Sequence, residues 1–218
     1  SIDSDKVFCT GMSNGGDFCY LLACEASESF LGVAPIAGMI MQDIMDDCNP
    51  SQNVGILEIH GTQDNVTYYD GDVNNQDGWG AYPSIPGTID FFVDMYGLAI
   101  NSTGNFPNIV SNDGSTVSFE KYGVDEECAK VWLYTVNGGG HDWPGAYGNM
   151  DIESSREAWL FFDTLCESTS EIEKPSAEGD KKLEKITDLL GREVSEISPQ
   201  ILLYIYDDGS VEKKFVVE

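Results

Sequence analysis

The chain has 218 residues, 41% of them hydrophobic and 11% aromatic, which is enough to bury one sizeable core with a small appendage and excludes a disordered chain. Its formal charge of -27, from 38 acidic against 11 basic residues, repels phosphate backbones and anionic headgroups, so neither nucleic acid nor a membrane surface is an expected partner. The simplest reading of that charge is solubility in a salty or extracellular medium.

Val7 to Thr10 reads as a short apolar strand that breaks at Gly11-Met12-Ser13-Asn14-Gly15-Gly16, after which Phe18, Leu21 and Leu22 recur at helical spacing. Val33 to Ala37 and Val54 to Ile59 are two further buried strands, the second running into His60-Gly61-Thr62-Gln63-Asp64. Thr88 to Tyr96 has a helical pattern and stops at Gly97, a residue type suited to a helix C-terminus. Asn112-Asp113-Gly114 signals a turn, followed by β-rich runs at Thr116 to Tyr122 and Val131 to Val136. Asp151 is placed to cap a last helix reaching Cys166, with Ala158, Trp159, Phe162 and Leu165 as its inward stripe. Strands alternating with helices imply an α/β fold with a mostly parallel sheet.

Residues 167–180 turn to Ser, Thr, Glu, Lys, Pro and Gly and read as a linker between a domain at 1–166 and a small β-rich unit at 181–218. In that tail an apolar-studded segment ends at Gly191, and Ile201 to Tyr206 and Val211 to Val217 flank Asp207-Asp208-Gly209-Ser210 as a hairpin. No run is long and apolar enough to span a bilayer, and the opening SIDSDK carries no signal-peptide pattern.

Six cysteines, at 9, 19, 24, 48, 128 and 166, show no zinc-site spacing. Cys48 and Cys128 lie in polar, loop-like stretches that suit disulfides in an oxidising compartment, whereas Cys9 sits in an apolar strand where core packing explains it. Asp70-Gly71-Asp72 opens like a calcium loop but lacks the sixth-position glycine and has Ala81 where a glutamate belongs. No metal is expected. Tyr68, Tyr69, Trp79 and Tyr82 surround this loop either as a substrate wall or as turn packing.

Gly11-Met12-Ser13-Asn14-Gly15 fits the G-x-S-x-G nucleophile elbow, in which glycines let strand and helix approach while the hydroxyl is pushed out of the turn. A strand-to-helix turn with a capping serine gives the same letters. Context favours the nucleophile, because an Asp and then a His follow, each just after a strand. A serine hydroxyl needs a base, and of the two histidines His141, in the glycine-rich Asn137 to Gly145, is the expected one. His60 is expected to hydrogen-bond the turn that holds the acid. Asp64 is the expected acid that orients His141, with Asp70 and Asp142 as rivals. One oxyanion donor would be the backbone N–H of Asn14.

SIDSDKVFCTGMSNGG, GVAPIAG, CNPSQNVGILEIHGTQD, YDGD and GGGHDWPG occur in order, and together they resemble the esterase family of polyhydroxybutyrate depolymerases and LpqC-type feruloyl and acetylxylan esterases. The resemblance implies an α/β-hydrolase fold with Ser13 as nucleophile, Asp64 as acid and His141 as base, with Trp143 of the Trp-Pro-Gly segment bordering the acyl pocket. It implies no cofactor. The family has strands and a His-Gly oxyanion loop ahead of its nucleophile strand, so the resemblance implies an N-terminally truncated member with a partial sheet whose Val7 to Thr10 strand is an exposed edge. KKLEKITDLLGREV and ILLYIYDDGSVEKKFVVE resemble the C-terminal sorting domain of type IX secretion cargo from Bacteroidetes, which implies the secretion machinery as a partner, export across the outer membrane, and a secreted or cell-surface protein. The function expected is ester hydrolysis on polyester or on feruloyl or acetyl groups of polysaccharide. The alternatives are a noncatalytic relic that holds glycan or polymer, and a serine peptidase of the same fold.

Overall fold

The computed structural model describes residues 3, 6–124, 129–165, 182–187, 192, 194, 200–207 and 211–216, and the chain folds as two compact units, residues 1–169 and 170–218. The first unit runs β1 (Phe8–Met12), α1 (Asn14–Glu25), β2 (Gly32–Ile36), α2 (Gln42–Asp47), β3 (Gly55–Gly61), α3 (Ile85–Tyr96), β4 (Ile100–Asn105), β5 (Thr116–Tyr122), β6 (Val131–Asn137) and α4 (Ser154–Asp163). Its six strands lie in the order β1-β2-β3-β6-β5-β4. The pairs β1/β2, β2/β3 and β3/β6 are parallel, whereas β5 pairs antiparallel with both β6 and β4. This is the expected mostly parallel α/β sheet, with β1 at one edge and β4 at the other.

Successive residues of a strand face opposite sides of a sheet, and here both sides are apolar. Val33, Ile56, Val131 and Leu133 join one core with Cys19, Tyr20 and Ala23 of α1 and Ile89 and Phe92 of α3. Ala34, Ile36, Leu57, Ile59, Tyr134 and Val136 join the other with Ala158, Phe161 and Phe162 of α4. Continuous burial along β2 and β3 follows from this double cover. On β3, the even-numbered positions that share the α1 face with Ile56 are occupied by Glu58 and His60, both buried.

The helix of Thr88 to Tyr96 begins earlier than expected, because Ser84 caps it by accepting the Gly87 N–H and a proline sits in its first turn; Gly97, at φ 67, closes it. Two helix faces differ from the expectation. In α1, Phe18 is exposed and the buried face is Gly16, Cys19, Tyr20, Ala23 and Cys24. In α4, Trp159 is 68% exposed and Phe161 takes its place beside Ala158, Phe162 and Leu165. Nor does Asp151 cap α4: its Oδ1 accepts from the Ile109 and Val110 N–H groups, and Glu153 holds the cap position without a side-chain bond.

In the second unit β7 (Leu183–Thr187), β8 (Gln200–Tyr206) and β9 (Val211–Val216) form an antiparallel sheet in that order. The expected hairpin is β8 with β9, in register at Ile205 and Val211. The expected linker at 167–180 and the turn residues 208–210 lie outside the described residues.

Candidate active site

Ser13 joins β1 to α1 with φ 54 and ψ -125, a conformation that costs a non-glycine residue about 1–3 kcal/mol. The backbone around it holds this geometry: Ser13 N–H donates to Ile36 O at 3.0 Å, and Ser13 O accepts from Gly16 and Asp17 at 2.7 and 2.9 Å. A β-carbon on Gly11 would lie 2.7 Å from the Gly15 backbone, and one on Gly16 would lie 2.9 Å from Gly38 Cα, so the turn closes only with glycines at these two places. The Ser13 side chain makes no capping bond to α1, so a capping serine does not describe it. Asn14 is the first residue of α1, and its N–H is one of the helix's unpaired N-terminal donors.

Asp64 follows β3 and its side chain is fully buried. Oδ1 accepts from the Val66 and Thr67 N–H groups at 2.8 Å each, and Oδ2 lies 2.8 Å from Nδ1 of His141. Because the carboxylate accepts, Nδ1 carries the hydrogen and Nε2 is the basic nitrogen of the neutral ring. The two loops are laced together. Thr62 N–H donates to Val136 O, Gln63 N–H to Gly139 O and Gly138 N–H to the Thr62 hydroxyl, at 3.0, 2.8 and 2.9 Å. The rival acids lie elsewhere: Asp142 accepts from Gly140 N–H at 3.1 Å and packs against Gly148, and Asp70 is exposed.

Ser13, Asp64 and His141 follow β1, β3 and β6, which are parallel, so all three stand at the same end of the sheet. Three strand spacings, about 14 Å, separate β1 from β6, and the segment after His141 crosses them. Trp143 O accepts from Ala146 and Tyr147, and this turn brings the Tyr147 hydroxyl to 2.9 Å from the Met12 sulfur, next to Ser13. Trp143 itself is half-buried against the core that contains Ile36 and Val136. The charge of His141 is felt in the first turn of α1: burial pushes the Asp17 carboxyl up, while the Met39 N–H and the charges of His141 and His60 pull it down. His141 Nδ1 and Asp64 Oδ2 are thus bonded, while among the described residues no hydrogen bond joins the Ser13 hydroxyl to His141.

His60 ties the acid's turn as expected, with Nε2 2.8 Å from Thr67 O. Its other nitrogen meets Glu58 Oε1 at 2.8 Å, and Glu58 Oε2 accepts from the Tyr20 hydroxyl at 2.9 Å. Burial pushes Glu58 up to about 7 against the lowering effects of His60, Tyr20 and the Gly38 N–H. Burial also works to lower His60, but its hydrogen bond with Glu58, the Glu58 and Asp64 charges and the Thr67 carbonyl outweigh it and raise the ring. Glu58 escapes a motif search. Its signal in the sequence is the alternation Ile56-Glu58-His60, which puts two polar residues on one face of a buried strand.

The Asp72 carboxylate is occupied by the Gln76 and Asp77 N–H groups and staples its own loop. Three of the four aromatics pack within that region: Tyr82 is buried and accepts from Tyr68 N–H, and Tyr69 bonds the Thr135 hydroxyl and sets its ring edge against His60. Trp79 is exposed beside Met41 and Gly80. Cys24 and Cys48 form a disulfide; Cys9 and Cys19 are free, with sulfurs 3.5 Å apart, and Cys128 and Cys166 lie outside the described residues.

No protein-family model matches the chain. A solved acetyl xylan esterase from Aspergillus awamori aligns over 75% of this chain and 61% of its own, with a TM-score of 0.44 and 14% identity, a likeness too loose to argue from. Feruloyl esterase B from Piromyces equi is 30% identical over 145 residues, covering 64% of this chain and 25% of that protein. A protein named "Probable feruloyl esterase C" from Aspergillus niger is 33% identical over 162 residues, covering 74% of this chain and 51% of that protein. The chain thus spans from a quarter to about half of the length of these curated relatives, and its homologues are proteins named as esterases.

Proposed function

We propose that this chain carries the nucleophile, base and acid of a secreted carboxylic-ester hydrolase that works through an acyl-enzyme. The observation that supports the reading is the 2.8 Å bond between Asp64 and His141 at the same sheet end as a strained serine whose hydroxyl caps nothing. In this reading His141 Nε2 takes the Ser13 proton as Oγ attacks the ester carbonyl, and Asp64 stabilises the imidazolium that forms. The Asn14 N–H receives the developing oxyanion. The imidazolium then gives its proton to the departing alcohol, and water, activated by the same ring, releases the acid. No step needs a cofactor.

The names of the homologues support feruloyl or acetyl esters on polysaccharide over polyester as the substrate, with Trp143 and Tyr147 bordering the acyl group. The tail, a separate antiparallel sheet, would act as the address for type IX export, and the Cys24–Cys48 bond suits an oxidising destination. One observation favours a second reading, a noncatalytic relic that holds glycan: the Ser13 hydroxyl is not bonded to His141. In unliganded sites such links are often long and tighten with substrate.

Hydrolysis of p-nitrophenyl acetate by the wild type beside Ser13→Ala and His141→Ala separates the two readings, together with mass mapping of a fluorophosphonate adduct. The hydrolase reading expects the label on Ser13 and loss of turnover in both variants. Equal rates in all three proteins, or no label, would leave the relic.

A further inference from the structure

The even-numbered face of β3 carries a polar pair that ester hydrolysis as described does not use. Glu58 and His60 are 0% and 1% exposed beneath α1. His60 Nε2 lies 2.8 Å from Thr67 O and 3.4 Å from Asp64 Oδ2, the same oxygen that meets His141 Nδ1 at 2.8 Å. A carbonyl and a carboxylate only accept, so Nε2 carries a hydrogen. On the far side of the ring, Glu58 and Nδ1 share one proton across 2.8 Å. The Tyr20 hydroxyl donates to Glu58 Oε2 at 2.9 Å, and the Gly38 N–H adds to the effects that lower the carboxyl. Burial works against the carboxylate and pushes Glu58 up to about 7, but the donors oppose it and the ring beside it is raised, which favours the proton, and the positive charge, on His60.

We propose that Glu58 and His60 are a positioning pair behind the acid, with His60 setting its Nε2–H and a positive charge against the Asp64 oxygen that also holds His141. A tie to the Thr67 carbonyl alone needs a neutral ring and nothing behind it. Burying a carboxylate is costly unless it is paired and hydrogen-bonded, and this one has the His60 ring at one oxygen and the Tyr20 hydroxyl at the other. The catalytic consequence rests on the hydrolase reading above. Asp64 divides its charge between two imidazoles, so a positive His60 opposes a second positive charge on the other side of the carboxylate. The other groups facing the pair are Tyr20, Cys19 and Asp17 from α1, Tyr69 from the following loop, and His141 from the loop after β6. Apart from His141 itself, none of them is a cation.

Glu58→Gln keeps the hydrogen bonds, since its amide donates to Nδ1 and its oxygen accepts from Tyr20, but it leaves His60 neutral. Tyr20→Phe removes one donor from Glu58 and draws the proton toward it, a milder change in the same direction that covers the case in which Glu58→Gln fails to fold. The chain has two histidines, so their ring signals can be followed by NMR against pH in the full chain, with His60→Gln for assignment. The His60 ring, raised in the wild type by Glu58, should titrate lower by about one pH unit in Glu58→Gln and by less in Tyr20→Phe. The acid limb of kcat/KM for p-nitrophenyl acetate should move up in the same variants while KM stays within twofold. His60 titration curves that superimpose on the wild type in both variants would overturn the proposal. A lowered His60 titration in a protein whose turnover ignores Ser13→Ala would instead uphold the pairing and sink the hydrolase reading.

Discussion

Gly61 and Gly139 meet backbone to backbone where the end of β3 passes the loop that carries His141. No β-carbon fits on Gly61, because the carbonyl oxygens of Gly139 and Gly140 occupy its place. The glycine run before His141 therefore does more than permit flexibility: it lets two chain segments 77 residues apart approach until Asp64 and His141 bond.

Gly61→Ala should force these loops apart. The backbone has to shift, which costs about 1–3 kcal/mol by urea unfolding. A displacement of about 1 Å between acid and base should lower p-nitrophenyl acetate turnover about 100-fold. Unchanged turnover in a destabilised variant would mean that the loops carry the site independently.

The two glycines of the Ser13 motif are predicted to behave differently. A β-carbon on Gly11 meets the Gly15 backbone at 2.7 Å, whereas one on Gly15 meets nothing within 4 Å. Gly11→Ala should open the turn and slow fluorophosphonate labelling of Ser13 at least tenfold, about 1.4 kcal/mol. Gly15→Ala, in the first turn of α1, should label at the wild-type rate and gain about 0.5–1 kcal/mol in thermal unfolding. Equal losses in both would show that the motif needs glycine for a reason other than close approach.

The sheet was legible where apolar runs end in turn residues: β2, β3, β5 and β6 all lie where β-rich runs predict them. β4 was not, because Ile100-Asn-Ser-Thr-Gly-Asn buries almost nothing and is held only by its ladder to β5. Helix existence could be read from periodicity, but helix faces could not. Phe18 and Leu21 have the better apolar spacing, yet α1 turns on the contact of Gly16 with Gly38 and the bond of Tyr20 to Glu58, both tertiary. In α4, Phe161 rather than Trp159 is inside because its ring packs on Trp132, 5.0 Å between centroids, across the sheet. That Ser13, Asp64 and His141 stand at one sheet end was legible because each follows a strand and sits among glycines or turn residues. Glu58 was not, since its reason for being buried, Tyr20, lies 38 positions upstream.

Asp64 and Asp142 offer a direct comparison, as each is a carboxylate close to His141 in sequence or in space. Asp64→Asn keeps the size of the side chain but presents an amide that stabilises the wrong imidazole tautomer, so kcat should fall about 10³–10⁴-fold. Asp142 bonds a backbone N–H and packs on Gly148, so Asp142→Asn should keep kcat within tenfold. It should lose about 1 kcal/mol of stability through the weaker bond to Gly140. The reverse order of effects in steady-state kinetics would transfer the acid's role to Asp142.

The Cys24–Cys48 disulfide joins the last turn of α1 to the end of α2 across 24 residues of chain. Closing a loop of that length restricts the unfolded chain by about 3–4 kcal/mol, so Cys24→Ser with Cys48→Ser should unfold at lower urea concentration by that amount. Cys24 lies eleven residues along the helix axis from Ser13, about 16 Å, and none of the bonds that hold Ser13, Asp64 or His141 passes through either cysteine. Turnover at 25 °C should therefore match the wild type as long as the variant is folded. Adding a reductant should lower the wild type's stability by at least the loss seen in the double variant, and Cys9 and Cys19, which are free thiols, hold no bond for it to break. A folded double variant with collapsed turnover would mean that the disulfide sets the elbow geometry through α1. A variant whose stability still fell on reduction would place a second disulfide among Cys9, Cys19, Cys128 and Cys166.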